Sequence, residues 1–151
     1  MNLTILGSTG TIGKNALSTI NNIDKRVNIF ALTAKSNIKL LYSQINKFKP
    51  KYAVVLNSKD AENLIIKCKK NNIRTKILSG KKNYCFVAKH IKVNCVLSAI
   101  VGAAALEPTY SAIKNGKTIL LANKESLIMS GSLMMNEARK SKSLIIPVDS
   151  E

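Results

Sequence analysis

Apolar residues recur along the chain in two alternating rhythms: short unbroken runs, and longer stretches in which they return every three or four positions. The short runs lie at 3–6, 28–33, 52–56, 76–78, 95–100, 118–122 and 144–148. Most are continuously apolar rather than alternating, which is the pattern of strands covered on both faces. Stretches of helical length separate them, so the pattern predicts a parallel α/β sheet, and no internal repeat or Pro/Gly-rich linker interrupts it.

Three of the intervening stretches carry their own punctuation. From about Thr11 to Asn22 the residues Ile12, Ala16, Leu17, Ile20 and Ile23 recur at three- and four-residue spacing, which predicts a helix packed on the sheet. A second helix is expected after Ser58, with Leu64, Ile65 and Cys68 on its buried side, until Asn71-Asn72 break it. Pro108 is expected to open another, which Asn115-Gly116 closes.

Directly after the first strand stands Gly7-Ser8-Thr9-Gly10-Thr11-Ile12-Gly13. Gly7 permits a tight turn, Gly10 lets the backbone approach a pyrophosphate, and Gly13 lets the helix lie close on the strand. The amino terminus of the following helix offers unpaired N–H groups and a partial positive charge to phosphates. A glycine triplet alone is weak, but here a strand precedes it and an amphipathic helix follows, so the reading is a dinucleotide-binding turn in a Rossmann-like, doubly wound, mainly parallel sheet with helices on both faces. Ligands of such a sheet gather beyond the carboxyl ends of its strands. After the second strand no Asp or Glu is present to accept from ribose hydroxyls. Lys35, Ser36 and Asn37 stand there instead, a set suited to a 2′-phosphate, so NADP is favoured over NAD. A merely solvated loop would also account for Lys35.

Two further turns fall on the same edge. Asn123-Lys124-Glu125-Ser126 follows the sixth strand at a helix start, where Lys124 is placed to contact a substrate hydroxyl or carbonyl; a helix cap with a surface ion pair would leave the same sequence. The last strand runs into Asp149-Ser150-Glu151, whose carboxylates at i and i+2 share a side of an extended chain. They would suit a hard ion, Mg²⁺ or Mn²⁺, needing further ligands from elsewhere, and solvated acids at a strand end are the plain alternative.

Composition changes the picture little. The 151 residues, 46% of them hydrophobic, suffice for one domain with a sizeable core. No run approaches the ~18 apolar residues of a membrane span, residues 3–6 are too short for a signal-peptide core, and a strand beginning at Leu3 leaves no room for a plastid transit peptide, so the expected location is the cytoplasm. Cys68, Cys85 and Cys95 have no metal-ligand spacing and read as packing thiols, as the methionines Met129, Met134 and Met135 read as packing residues. His90 reads as a structural or surface residue. A net charge of +16 invites a nucleic-acid partner. The charges are almost all Lys, spread along the whole chain without aromatic interleaving, so a solvated Lys surface is favoured and an anionic, phosphate-bearing ligand fits.

Together, the segments 7–13 (Gly-Ser-Thr-Gly-Thr-Ile-Gly), 99–104 (Ala-Ile-Val-Gly-Ala-Ala), 121–126 (Leu-Ala-Asn-Lys-Glu-Ser) and 147–151 (Pro-Val-Asp-Ser-Glu) resemble the 1-deoxy-D-xylulose 5-phosphate reductoisomerase family, from Met1 to Glu151. The resemblance implies an NADPH-dependent enzyme of isoprenoid precursor synthesis that rearranges 1-deoxy-D-xylulose 5-phosphate and reduces the product to 2-C-methyl-D-erythritol 4-phosphate, with a divalent ion. By motif position Thr9, Gly10, Thr11 and Ile12 would hold the cofactor, joined by Asn37, Asn123 and Glu125. Lys124, Ser150 and Glu151 would contact the phosphorylated sugar, and Asp149 and Glu151 would ligate Mg²⁺ or Mn²⁺. Where the family commonly shows Gly-Lys-Asn after the second strand, this chain has Lys35-Ser36-Asn37. The resemblance further implies an NADPH-binding domain over 1–122, a last helix and strand over 123–151 leading into a catalytic region found in relatives, homodimeric full-length relatives, and a chain of this length that binds nucleotide without turning over substrate. Two rival readings are another NADP-linked Rossmann dehydrogenase, which would want a cysteine nucleophile or a downstream His, and a non-catalytic nucleotide- or nucleic-acid-binding protein.

Overall fold

A computed structural model of the chain describes residues 1–23, 26–122 and 124–148. Seven strands form one sheet: β1 (Asn2–Leu6), β2 (Asn28–Ala34), β3 (Tyr52–Val55), β4 (Lys76–Ser79), β5 (Cys95–Ser98), β6 (Thr118–Leu121) and β7 (Ile145–Pro147). Their order is β4-β3-β2-β1-β5-β6-β7, and every pairing is parallel. All seven expected strands are present, within two residues of the expected ends.

The helices are α1 (Thr11–Ile23), α2 (Ile38–Phe48), α3 (Ser58–Lys70), α4 (Lys81–Lys89), α5 (Leu106–Lys114) and α6 (Lys124–Ser141). Two cores divide them. Leu17, Leu41, Ile45 and Leu64 of α1 to α3 pack with Leu3, Ile5, Leu32 and Val55 on one face of the sheet. Val87, Ile113 and Met134 of α4 to α6 pack with Leu6, Val54, Val96 and Ile119 on the other. Successive strand residues point to opposite faces, which is why Ile5 and Leu6 belong to different cores. Burying each such side chain is worth about 1.5–3 kcal/mol.

Helix ends differ from expectation in two places. Asn57, not Ser58, caps α3, its side-chain oxygen accepting from the Lys59 N–H at 2.8 Å. α5 begins at Leu106, two residues before Pro108, which lies in the first turn where its missing N–H costs no helical hydrogen bond. α6 kinks at Ser130 (φ −149°, ψ 24°), beside Gly131, a pairing of residue types that commonly interrupts a helix. Together α6 and β7 extend the same sheet beyond β6.

Candidate functional site

β1 leads to the left of the sheet through β2, β3 and β4, and the chain then returns to place β5 on the other side of β1. The crevice beyond the carboxyl ends of β1 and β5 is therefore the switch point of the winding, where open α/β sheets bind ligands. A cleft of about 630 Å³ lies there.

The glycine turn forms one wall of it. Gly7 has φ 84°, and a Cβ on it would stand 2.9 Å from the Ala99 carbonyl oxygen, so both the turn and the approach of the β5 loop demand glycine. A Cβ on Gly13 would fall 2.4 Å from the Gly7 oxygen and 2.6 Å from Ser8 Cα, so only glycine lets α1 sit against its own turn. At Gly10 the nearest atom to a Cβ would be 3.5 Å away, which leaves bare backbone on the cleft side. Gly10 donates to the Gly7 oxygen at 3.2 Å, and Lys14 to the Gly10 oxygen at 2.9 Å. That second bond is the first to close a turn at the head of α1, so the Thr11, Ile12 and Gly13 N–H groups precede it as donors available to an anion.

Two residues that sequence reasoning missed hold the turn. Thr33, fully buried at the end of β2, accepts from the Gly7 N–H through its hydroxyl at 2.9 Å and from the Ser8 N–H through its carbonyl at 2.9 Å. Gln44 of α2, also buried, pairs with Ser8 twice: the Ser8 hydroxyl donates to Gln44 Oε1 at 2.7 Å, and Gln44 Nε2 donates to the Ser8 carbonyl at 2.8 Å. A glutamine on the apolar face of a helix, between Leu41 and Ile45, was the available signal.

The second strand contributes Ala34 and Lys35 to the cleft. Tyr84 of α4 donates its hydroxyl to the Ala34 carbonyl at 2.9 Å, and burial pushes its phenol up to about 12, so it remains a neutral donor. Leu56 after β3 and Lys81 after β4 complete this end. Across from them stand Ile100 and Val101 after β5, the small residues Ala103 and Ala104, and Glu107 in the first turn of α5. The rule that ligands gather beyond the carboxyl ends of strands would have found Leu56 and Lys81, since each follows a strand closely.

Of the expected cofactor residues, Gly7, Thr9, Gly10 and Lys35 line the cleft, while Gly13 lies beneath it and Thr11 and Ile12 open α1. Ile12 is half-buried against the sheet, so its backbone rather than its side chain is offered to a ligand. Ser36 is exposed, and Asn37 caps α2, accepting from the Leu40 N–H at 3.1 Å. Lys124 and Glu125 head α6, exposed, on the same edge but at the end of β6 rather than in the cleft. Asn123, Asp149, Ser150 and Glu151 lie outside the described residues. Among the described residues no three His, Cys, Asp or Glu side chains gather as a metal site. Burial pushes the Cys68, Cys85 and Cys95 thiols upward, away from the thiolate a cysteine nucleophile needs.

A three-glycine turn at the β1/β5 switch point, opening a helix beside a cleft of about 630 Å³, places the chain in the Rossmann-like α/β class. The family model for 1-deoxy-D-xylulose 5-phosphate reductoisomerase matches residues 3–131. The reductoisomerase of Haemophilus ducreyi is 45% identical over 150 residues, covering 99% of this chain and 38% of that protein. That of Thermodesulfovibrio yellowstonii is 46% identical over 147 residues, covering 97% of this chain and 38% of that protein. A crystal structure of DOX-P reductoisomerase with NADPH, fosmidomycin and magnesium superposes with a TM-score of 0.93 at 38% identity, over 97% of this chain and 36% of that one. The Zymomonas mobilis reductoisomerase with NADPH superposes at 0.92 with 33% identity, over 99% of this chain and 39% of that one. The chain belongs to the 1-deoxy-D-xylulose 5-phosphate reductoisomerase family, and it spans just over a third of the length of the relatives it matches.

Proposed function

We propose that this chain supplies the NADPH-binding portion of a 1-deoxy-D-xylulose 5-phosphate reductoisomerase. The observation that carries the reading is the glycine cradle at the switch point: Cβ atoms at Gly7 and Gly13 would collide with backbone, while Gly10 leaves the wall bare. Such a cradle, with the Thr11, Ile12 and Gly13 N–H groups behind it, fits a pyrophosphate. Thr33 and Gln44 fix the turn before any ligand arrives, so little ordering free energy is spent on binding. Lys35, flanked by Ser36 and Asn37, takes the 2′-phosphate, and Val101 and Ile100 present apolar surface to the adenine side of the cleft.

The reacting end lies toward β6 and β7. Lys124 holds a substrate oxygen at the head of α6, Asn123 and Glu125 join in holding the cofactor, and Ser150 with Glu151 contacts the hydroxyl groups of the phosphorylated sugar. Asp149 and Glu151 are a donor set suited to Mg²⁺ or Mn²⁺. Bound there, the ion would polarise the substrate's carbonyl and hydroxyl oxygens, and NADPH would supply the hydride. The substrate, the homodimer and a cytoplasmic location are part of the same proposal; no described helix is long and apolar enough to cross a membrane.

The test has two arms. Titrating the chain with NADPH and following energy transfer from its tyrosines to the nicotinamide should show saturable binding. In the protein that carries this chain, NADPH should be consumed with 1-deoxy-D-xylulose 5-phosphate and Mn²⁺, and Lys124→Ala and Glu151→Gln should each abolish most of that turnover. Full activity in both variants would remove these residues from the reaction.

A further inference from the structure

On the edge opposite the cofactor cleft, at the amino ends of the strands, a second groove of about 520 Å³ runs between the ends of α2 and α3. Lys49, Lys51, Arg74 and Lys76 line it with the amides of Asn46 and Asn71, and no Asp or Glu is among its lining residues. Its walls are fixed by backbone. Lys51 donates to the Phe30 carbonyl at 3.0 Å, Lys76 to the Lys51 carbonyl at 2.9 Å, and Thr75 donates its buried hydroxyl to the Pro50 carbonyl at 2.7 Å. Lys49 is held in the left-handed region, φ 46°, by its bond to Ile45.

The fold sets rings beside these cations that the sequence keeps far apart. Phe30, Tyr52, Phe86 and His90 form one cluster with centroid separations of 4.7 to 5.8 Å. Phe86 is 38% exposed and Lys51 Nζ lies 5.9 Å from the Tyr52 centroid, joining groove to rings. Beyond His90 the cations continue: burial first, and then Lys51, Lys92 and Lys117, hold its imidazole below the ordinary value. Phe30 is buried beneath the cluster, so the cation groove and the accessible rings Tyr52, Phe86 and His90 form one strip along this edge.

We infer that this strip binds a single-stranded polynucleotide, its phosphates on Lys49, Lys51, Arg74 and Lys76 and its bases stacked against Phe86 and the neighbouring rings. The cations alone would serve any polyanion; the rings single out a ligand with unpaired aromatic bases. This site is independent of the NADPH cleft.

The test is fluorescence anisotropy of a labelled oligouridylate of about a dozen nucleotides, a length within the usual single-strand site size. Binding should be micromolar or tighter at low salt. Changing Lys51, Arg74 and Lys76 together to Gln should weaken it at least about tenfold and reduce the slope of log K against log salt by about 2, from roughly 0.7 per charge. Phe86→Leu, which keeps the packing but removes the ring, should weaken binding about fivefold and leave the slope unchanged. Changing Lys39, Lys59 and Lys82 to Gln removes the same charge from the far edge and should alter affinity little. Each variant's thermal melting must match the parent's before its affinity is compared. Equal losses from the two triple variants would reduce the effect to bulk charge and overturn the site. Unchanged affinity in Phe86→Leu, or equal displacement by inorganic polyphosphate and by unlabelled oligouridylate, would overturn the polynucleotide assignment, as would no binding at all.

Discussion

The centre of the sheet and its β7 edge treat their apolar residues in opposite ways. Around β1 and β2, Ile5, Leu6, Leu32, Leu41 and Ile45 are wholly buried, and the Gly7 and Ser8 N–H groups, the Ser8 hydroxyl and the Ser8 carbonyl are all paired to Thr33 or to Gln44. Around α6 and β7, Ile128, Met129 and Leu133 are 84, 56 and 54% exposed, and Leu144 is 58% exposed. Scattered apolar residues on a surface are ordinary, but three on one kinked helix and another just before β7 leave far more apolar side chain uncovered than the centre of the sheet does. The corner proposed to hold the nucleotide is thus tied together by residues of β1, β2 and α2. The corner proposed to carry the reaction leaves apolar surface uncovered, in a chain that spans 38% of the relatives it matches.

The largest effect should come from Gly13→Ala. Its methyl would meet backbone at 2.4 Å, with no flexible side chain to give way, so a loss of about 1–3 kcal/mol or more is expected, together with loss of NADPH binding. For a chain of this size 1–3 kcal/mol is roughly 2–12 °C in melting temperature. Unchanged melting would mean that α1 does not lie against the turn as described.

Gln44→Leu comes next. It removes both bonds to Ser8; the hydroxyl keeps the Thr33 carbonyl at 3.2 Å, but the Ser8 carbonyl loses its side-chain donor, for about 1–3 kcal/mol, and NADPH should bind more weakly although Gln44 is not among the residues lining the cleft. Calorimetric titration of the folded variant separates the two effects; NADPH affinity equal to the parent's would show that the turn needs no such support.

A smaller effect is expected with pH. His90 has its value lowered from 6.5, chiefly by burial and then by three lysines, so the unfolded chain binds the proton more readily than the folded one. Stability should therefore rise as pH climbs from the folded value toward 6.5, and His90→Gln should flatten that slope in melting curves taken across the range. A slope that persists unchanged would assign it to other groups.

Smallest of all should be Ile128→Ser. With 84% of the side chain exposed, its removal should change stability by no more than about 0.5 kcal/mol, in contrast to any apolar residue of the β1 corner. A large loss would show that α6 is packed as tightly as α1.

Sequence carried the strands well because parallel strands buried on both faces are largely apolar runs, as at Tyr52–Val55 and at 95–97. Gly7, Gly10 and Gly13 were legible for the same reason: each role is local, set by a turn and the helix that follows. Strand order was not local. Nothing in the run from Ala99 to Val101 shows that it lies against Gly7, so Val101 and Tyr84 entered the cleft only with the topology. The rings on the opposite edge escaped likewise, because Phe30, Tyr52 and Phe86 come from β2, β3 and α4.

The glycine turn stands at the centre of the proposed cofactor site. The most direct test is a paired titration of the folded 151-residue chain with NADPH and with NADH. One nucleotide per chain, with NADPH the tighter by about tenfold or more, is the expected result, that margin being the ~1.4 kcal/mol or more of charge-assisted bonding that the 2′-phosphate would gain at Lys35. A folded chain that binds neither nucleotide would contradict the cradle itself, and equal affinity for the two would contradict the role given to Lys35.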